Sequence, residues 1–480
     1  MRNAVVIAAM LMFVTAEALA EPTQAQREAI RHVEQIEPLV TEMAMKLWHE
    51  SEIALRETKS AAYLADVLER EGFTLQRGVA GMPTAFVATF KQGGGKPVIG
   101  VLAEYYALPS VGNEAVPMQE PRADGNTGGH GCGHNLFGAG SVAAAIALKR
   151  TMQQQNIDGT VKLFGCPAEE TLIGKVYMAR DGVFDGLDAC LDWHPGGKTQ
   201  IGNTASRALN TFEVEFFGKS AHGSGAPWDG RSALDAVELM SIGANYMREH
   251  IEPSARLHSV IVHGGDAPNV VPNYAKVWYF VREADRDSVE KNYKWLLDIA
   301  KGAALMTQTE YKVKLLTGVH SYNLNRPLQE AAQANLEYVG PPQYTEADHA
   351  WAKQLQRELG LKESGYDVKI HPLAKKPGPL EGGSTDVAEV SRLTPTVKVS
   401  ATSAAAGIPF HSWSATACHG REAAAKSSVV AAKVMAMTGV QMMQDADLLQ
   451  RAQKAFKESM KDGPYKSPIP ADAKPPLPAE

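Results

Sequence analysis

His130-Gly131-Cys132-Gly133-His134 is the stretch on which the fold turns. Ahead of it lies Pro97-Val98-Ile99-Gly100-Val101-Leu102-Ala103, a continuous apolar run of the kind that forms a strand buried on both faces. Behind it, Phe137 to Met152 reads as a helix rich in small residues. Glycines between the two let the backbone turn sharply and bring side chains together. A thiolate flanked by imidazoles suits a borderline-soft ion such as zinc. In α/β sheets, ligands are held beyond the carboxyl ends of strands, which is where this loop falls.

The same alternation extends in both directions. Gln24 to Phe73 shows helical periodicity, and Thr84 to Phe90 alternates like a strand. Val161 to Phe164 is a strand carrying Pro167-Ala168-Glu169-Glu170 at its end. A short helix holds Met178 and stops near Gly182, and Ala189 to Trp193 is a strand with His194 at its tip. This predicts an α/β catalytic domain with a mostly parallel central sheet and flanking helices. Near Ala208 the pattern changes. Strand Thr211–Phe217, helix Ser232–Arg248, strands Leu257–Val262 and Lys276–Arg282, helix Ser288–Leu305 and strand Tyr311–Leu316 follow. That β-α-β-β-α-β order predicts an inserted ferredoxin-like α+β lid. From Pro327 the α/β character resumes, through Thr396–Val399 to an Ala-rich helix after Arg421. The expected organisation is a leader (1–20), a catalytic domain in two parts (21–207 and 326–455), a lid (208–325) and a Pro-rich tail (456–480).

A chain of 480 residues exceeds one ordinary core, and its net charge of −6 offers nothing to nucleic acid or to an anionic membrane. Arg2, the apolar run Ala4 to Val14 and Ala18-Leu19-Ala20 form a secretory signal cut before Glu21, too short to span a bilayer. A periplasmic location follows. Cys132, Cys166, Cys190 and Cys418 are too few for a disulfide framework in so long a chain. Cys166 and Cys190 are read either as a pair or as buried thiols.

Three further elements carry chemistry. Glu169 and Glu170 are adjacent carboxylates that repel unless a cation or solvent intervenes. Asp192-Trp193-His194-Pro195-Gly196 and Pro409-Phe410-His411-Ser412-Trp413 each bring an imidazole. Each is ambiguous alone, and together with Cys132 and His134 they point to a metal site. No Gly-x-Ser-x-Gly elbow supports a serine hydrolase, and Gly218-Lys219-Ser220 lacks the leading glycine of a phosphate loop because position 213 is Glu.

In combination, His130-Gly131-Cys132-Gly133-His134-Asn135, Pro167-Ala168-Glu169-Glu170, Gly218-Lys219-Ser220-Ala221-His222, Asn269-Val270-Val271-Pro272-Asn273 and Gly383-Ser384-Thr385-Asp386-Val387 give the chain a family likeness. It resembles the amidohydrolase branch of the dinuclear metallopeptidases, with aminoacylase, carboxypeptidase G and the aminobenzoyl-glutamate hydrolases, particularly the B type of the last. The resemblance implies two divalent ions, Zn or Mn, held by Cys132, His134, Glu170, His194 and His411. It implies Glu169 as general base toward a metal-bridged water, and His222 of the lid as the group polarising the scissile carbonyl, in cis or across a dimer. Asn269 and Arg282 match substrate-binding positions, and an Arg at 282 suits a carboxylate. His130 matches no ligand and shapes the loop. The implied reaction is hydrolysis of the amide bond of an N-acyl or N-aroyl amino acid, a small molecule, by a homodimer joined through the lid. The alternatives are a dipeptidase or aminopeptidase of the same metal chemistry, and a non-catalytic periplasmic binding protein. One departure stands out. Relatives read Glu-Tyr-Asp-Ala-Leu-Pro where this chain has Glu104-Tyr105-Tyr106-Ala107-Leu108-Pro109, so a carboxylate is missing at Tyr106.

Mass analysis of the exported chain is expected to give a mature N-terminus at Glu21. An extracytoplasmic protein that still carries Met1 would refute cleavage.

Overall fold

A computed structural model describes residues 21–380, 382–461 and 463–478. The expected leader, 1–20, lies outside the described residues. The helical stretch read from Gln24 to Phe73 is divided into helices Gln24–Gln35, Glu37–Glu50 and Thr58–Arg70. The first is fixed by a reciprocal cap between Thr23 and Gln26. Pro38 fits only a first helical turn, so the second helix restarts at Glu37. Ser51, with φ 41°, ends it in the left-handed region.

Twelve strands follow in chain order: β1 (Thr74–Arg77), β2 (Phe86–Gln92), β3 (Val98–Ala103), β4 (Gly159–Gly165), β5 (Ala189–Gly196), β6 (Thr199–Ile201), β7 (Ala208–Phe217), β8 (Arg256–His263), β9 (Tyr274–Glu283), β10 (Glu310–Val319), β11 (Ile370–His371) and β12 (Thr396–Thr402). One sheet has eight of them in the order β1-β2-β4-β3-β5-β12-β6-β11. Its centre, β4-β3-β5-β12, is parallel throughout. Val101 and Leu102 on β3 are fully buried, as a two-sided strand requires. β5 runs on to Gly196, so His194 sits within the strand and not at its tip, because β12 pairs with β5 as far as Gly196.

The loop run feeds helix His134–Gln155, which is buried along most of its length and packs beside helix Ala425–Gln444. Small residues permit this close approach. A Cβ built on Gly140 would lie 2.8 Å from the Trp193 ring and 3.1 Å from the Ser428 carbonyl oxygen. The indole has no room to yield, since it is fully buried and its Nε1 donates to the Phe137 carbonyl at 3.0 Å.

The inserted unit is a separate four-stranded antiparallel sheet, β10-β7-β9-β8. Along β7 the apolar Phe212, Val214 and Phe216 are buried, while Glu213 and Glu215 face the partly exposed side. Helices Ala233–Met247 and Arg286–Thr307 share a core with its buried face; Ser232 and Asp285 cap them. β8 is an edge strand, and Val260, Ile261 and Val262 on it are exposed.

All four cysteines are free and buried, so Cys166 and Cys190 are thiols. A last helix, Ala446–Ser459, precedes the tail. The tail lies as a strap. The Tyr465 hydroxyl donates to Glu389 at 2.7 Å, Ile469 is buried, and the carbonyls of Ala473 and Lys474 accept from Arg180 and from the Tyr177 hydroxyl. Among the described residues no helix is long and apolar enough to cross a membrane.

Overpacking one such contact is expected to cost about 1–3 kcal/mol. Denaturant unfolding of Gly140→Ala should show that loss; unchanged stability would mean that the two helices and β5 separate readily.

Candidate metal centre

The parallel strands deliver their chemistry to one edge. Glu104 follows β3, the Glu169 turn follows β4, His194 is on β5, and the loop bearing His411 follows β12. Cys132 and His134 enter from the loop before helix His134–Gln155. Gly133 caps that helix at φ 82°, and a Cβ there would stand 2.9 Å from Pro195. Only glycine meets both demands.

Three overlapping groups of donor atoms result: Cys132, His134 and His194; Cys132, Glu170 and His411; and Glu104, His134 and Glu169. Within each, the donor atoms lie within 4.8 Å of one another. Cys132 Sγ is 3.5 Å from His194 Nε2, and His411 Nε2 is 3.0 Å from Glu170 Oε1. His194 Nδ1 donates to the Pro195 carbonyl at 2.6 Å, which fixes the tautomer and leaves the Nε2 lone pair facing Cys132. His134 is fully buried with neither ring nitrogen hydrogen-bonded among the described residues. Burying two unpaired nitrogens is costly unless one takes a ligand bond.

The electrostatics suit a cation-binding site. Burial pushes the Cys132 thiol well above its ordinary range, and Glu170 and Glu169 push it further. Burial, then Glu104 and Glu170, raises Glu169 well above the carboxylate range. Burial holds His134 and His194 well below the usual imidazole value, as a neutral donor needs. A thiol among carboxylates becomes a thiolate only beside a cation. The donor set therefore fits divalent metal, with Cys132 common to two of the groups.

His130 is excluded as a donor by its own bonds. Its Nε2 donates to the Leu47 carbonyl at 2.9 Å and its Nδ1 accepts from the Asn135 N–H at 3.1 Å. Tyr106, in the position of the missing carboxylate, is buried with its ring centroid 6.1 Å from that of His134.

His222, Asn269 and Arg282 lie on the lid and make no hydrogen bond to this cluster among the described residues. His222 is exposed; its Nδ1 accepts from the N–H groups of Gly225 at 3.1 Å and Ser224 at 3.3 Å. That leaves Nε2 as the protonated atom, a donor. The Asn269 carbonyl accepts from Gly223 N–H at 2.8 Å, tying the two loops together. Arg282 is half-buried over the Phe280 ring, and its Nε has no hydrogen-bond partner among the described residues.

Sequence reasoning missed several residues. Arg207 is one: buried, its Nε without a hydrogen-bond partner among the described residues, and close enough for its charge to bear on Arg282. Lys175 and Asp386 form an ion pair beneath the cluster, and only the Gly383-Ser384-Thr385-Asp386 stretch hinted at it. Beside His194 lies a cavity of about 290 Å³, lined in part by Ser206, Tyr322, Thr385 and Ser400, with the Tyr322 hydroxyl buried and without a hydrogen-bond partner among the described residues. Glu57 is another. Its Oε1 accepts from Ala168 N–H at 2.9 Å and so fixes the turn, with Ala168 at φ 55°, that presents Glu169 and Glu170.

Known proteins share this outline. Residues 204–305 match the M20 peptidase dimerisation domain. The chain is 37% identical over 460 residues to the B subunit of p-aminobenzoyl-glutamate hydrolase from Escherichia coli K12, covering 91% of this chain and 95% of that one. It is 26% identical over 451 residues to Xaa-Arg dipeptidase of Mus musculus, covering 90% and 92%. A dinuclear metal-binding peptidase of the M20 family from Bacillus subtilis shares the fold, with a TM-score of 0.56 and 19% identity over 86% of this chain and 99% of that one.

Burial pushes the Glu57 carboxyl up to about 7. Between pH 4.5 and 7 the folded chain then holds a proton that the unfolded chain has lost, so this residue makes stability fall as pH rises through that window. Glu57→Gln keeps an acceptor for Ala168 and removes the titration. It is expected to match the parent at pH ~5 and to exceed it at pH ~8 by up to about 3 kcal/mol. Parallel stability–pH curves for the two proteins would refute the assignment.

Proposed function

The chain belongs to the M20 family of metal-dependent hydrolases that includes the B subunit of p-aminobenzoyl-glutamate hydrolase, and on that premise we propose that it hydrolyses the amide bond of N-acyl or N-aroyl amino acids. The observation that carries the reading is the set of donor groups joined through Cys132 and His134, with Glu169 buried among them. Cys132, His134, Glu170, His194 and His411 would hold two divalent ions, and zinc or manganese suits these donors. Bound there, such ions lower the pKa of water toward neutrality and polarise an amide carbonyl.

The protein's own groups account for the rest. Glu169, with its proton affinity raised by burial and by Glu104, accepts the proton of the attacking water and returns it to the departing amine. No side-chain nucleophile and no acyl-enzyme is required. His222, donating through Nε2, stabilises charge that develops on the carbonyl oxygen. Arg282, with Arg207 nearby, offers a cationic site for the free carboxylate of the substrate, and Asn269 an amide for its polar groups. The cavity beside His194 gives room for one end of the substrate.

His222 stands on a lid, and the lid carries an open apolar edge at Val260, Ile261 and Val262. We propose a homodimer formed through that unit, in which His222 acts on the site of the opposite protomer. Export to the periplasm is proposed from the leader alone. A dipeptidase activity is the second reading, favoured by the similarity to Xaa-Arg dipeptidase.

Glu169→Gln is expected to retain metal and to lose turnover by a factor of about 10²–10⁴. Turnover at the parent rate would remove Glu169 from the mechanism. Release of free amino acid from N-aroyl amino acids, measured against dipeptides with free N-termini, separates the two substrate readings. Cleavage of the dipeptides alone would sink the first.

A further inference from the structure

Glu104 has no part in the five-residue donor set just described, yet it is built into the same cluster. Its side chain is 1% exposed. Its Oε2 makes no hydrogen bond among the described residues and lies 3.3 Å from His134 Nε2, an atom equally without a hydrogen-bond partner. Donor atoms of Glu104, His134 and Glu169 fall within 4.8 Å of one another. Two buried atoms without hydrogen-bond partners among the described residues thus face each other at that distance. A neutral imidazole and a carboxylate so arranged compete for one proton or share one cation.

The other oxygen of Glu104 is tied down. Oε1 accepts from Lys175 Nζ at 2.6 Å, and Nζ also donates to Asp386 Oδ1 at 2.7 Å. Asp386 Oδ2 accepts from the Lys175 backbone N–H at 2.8 Å. Lys175 and Asp386 are fully buried. The ammonium is thus locked between two carboxylates, and its only freedom is to hold Glu104 in one rotamer.

Position completes the case. β3 ends at Ala103, and Glu104 is the first residue beyond it. Two residues on, Tyr106 brings a phenol and no carboxylate to the same edge. We propose that Glu104 is a sixth protein donor of the metal centre, facing the ion held by His134, and that Lys175 is the positioning residue that aims it. The proposal rests on the metal-centre reading above.

The test is calorimetric titration of the metal-depleted full-length protein with Zn²⁺, paired with the visible spectrum after loading with Co²⁺. The parent should take about two ions. Glu104→Gln should keep one and bind the other at least about 10- to 100-fold more weakly, with a changed cobalt spectrum. Two ions at parental affinity with an unchanged spectrum would overturn the role of Glu104 and leave the metal centre standing. A parent that takes up no ion would overturn both. Should Glu104→Gln fail to fold, Glu104→Asp keeps the charge but withdraws it by one methylene. Weaker binding of one ion is then expected, and parental affinity overturns the proposal. Lys175→Met should shift the cobalt spectrum of the folded protein, and Lys175→Arg should restore part of it. A Met variant that melts earlier yet keeps the parental spectrum would reduce Lys175 to a structural ion pair.

Discussion

Parallel strands that lie side by side end at the same edge, and the chemistry of this protein hangs on that constraint. β4, β3, β5 and β12 are adjacent and parallel. The segments that leave them can reach one another only above their carboxyl ends. Glu104, the Glu169-Glu170 pair, His194 and His411 are far apart in the chain and near one another for that reason. The Cys132–His134 loop joins them because helix His134–Gln155 must return across the sheet, and small residues such as Gly140 let it approach closely enough to pin Trp193 just ahead of His194.

The second organising force is electrostatic. Carboxylates, a thiol and the imidazoles of His134 and His194 are gathered where most of them are buried, and Glu104 Oε2 and both ring nitrogens of His134 have no hydrogen-bond partner among the described residues. Such a site is costly by itself. Its cost is offset only where a cation binds, so stability and metal affinity are two views of one free energy. The buried Lys175 fits that account. It neutralises part of the surplus and, because it is covalently fixed, prevents Glu104 and Asp386 from turning away.

Much of this was legible in the sequence. The apolar run of β3, the alternation along β7 and the β-α-β-β-α-β order of the lid follow from periodicity, which local burial obeys. Residue type and position near strand ends marked Cys132, His134, Glu169, Glu170, His194 and His411 as candidates, while their division into donors and base came from the family resemblance. Lys175, Asp386 and Glu57 were harder, since a Lys in a short helix and a Glu ahead of one look like surface residues until the sheet folds over them. Arg207 likewise precedes a strand and betrays nothing alone. The break of the first helical stretch at Ile36 was readable from Pro38, whereas the left-handed turn at Ser51 depends on tertiary contacts that periodicity does not encode.

The strap carries a meaning of its own. Tyr465 grips Glu389 on helix Val387–Ser391, and the carbonyls of Ala473 and Lys474 grip Arg180 and Tyr177 on helix Gly174–Arg180. Asp386 immediately precedes the first of these helices and Lys175 lies in the second. The strap is therefore a clasp across the two helices that set the ion pair. Loss of the strap would remove these contacts from both helices without touching a single donor.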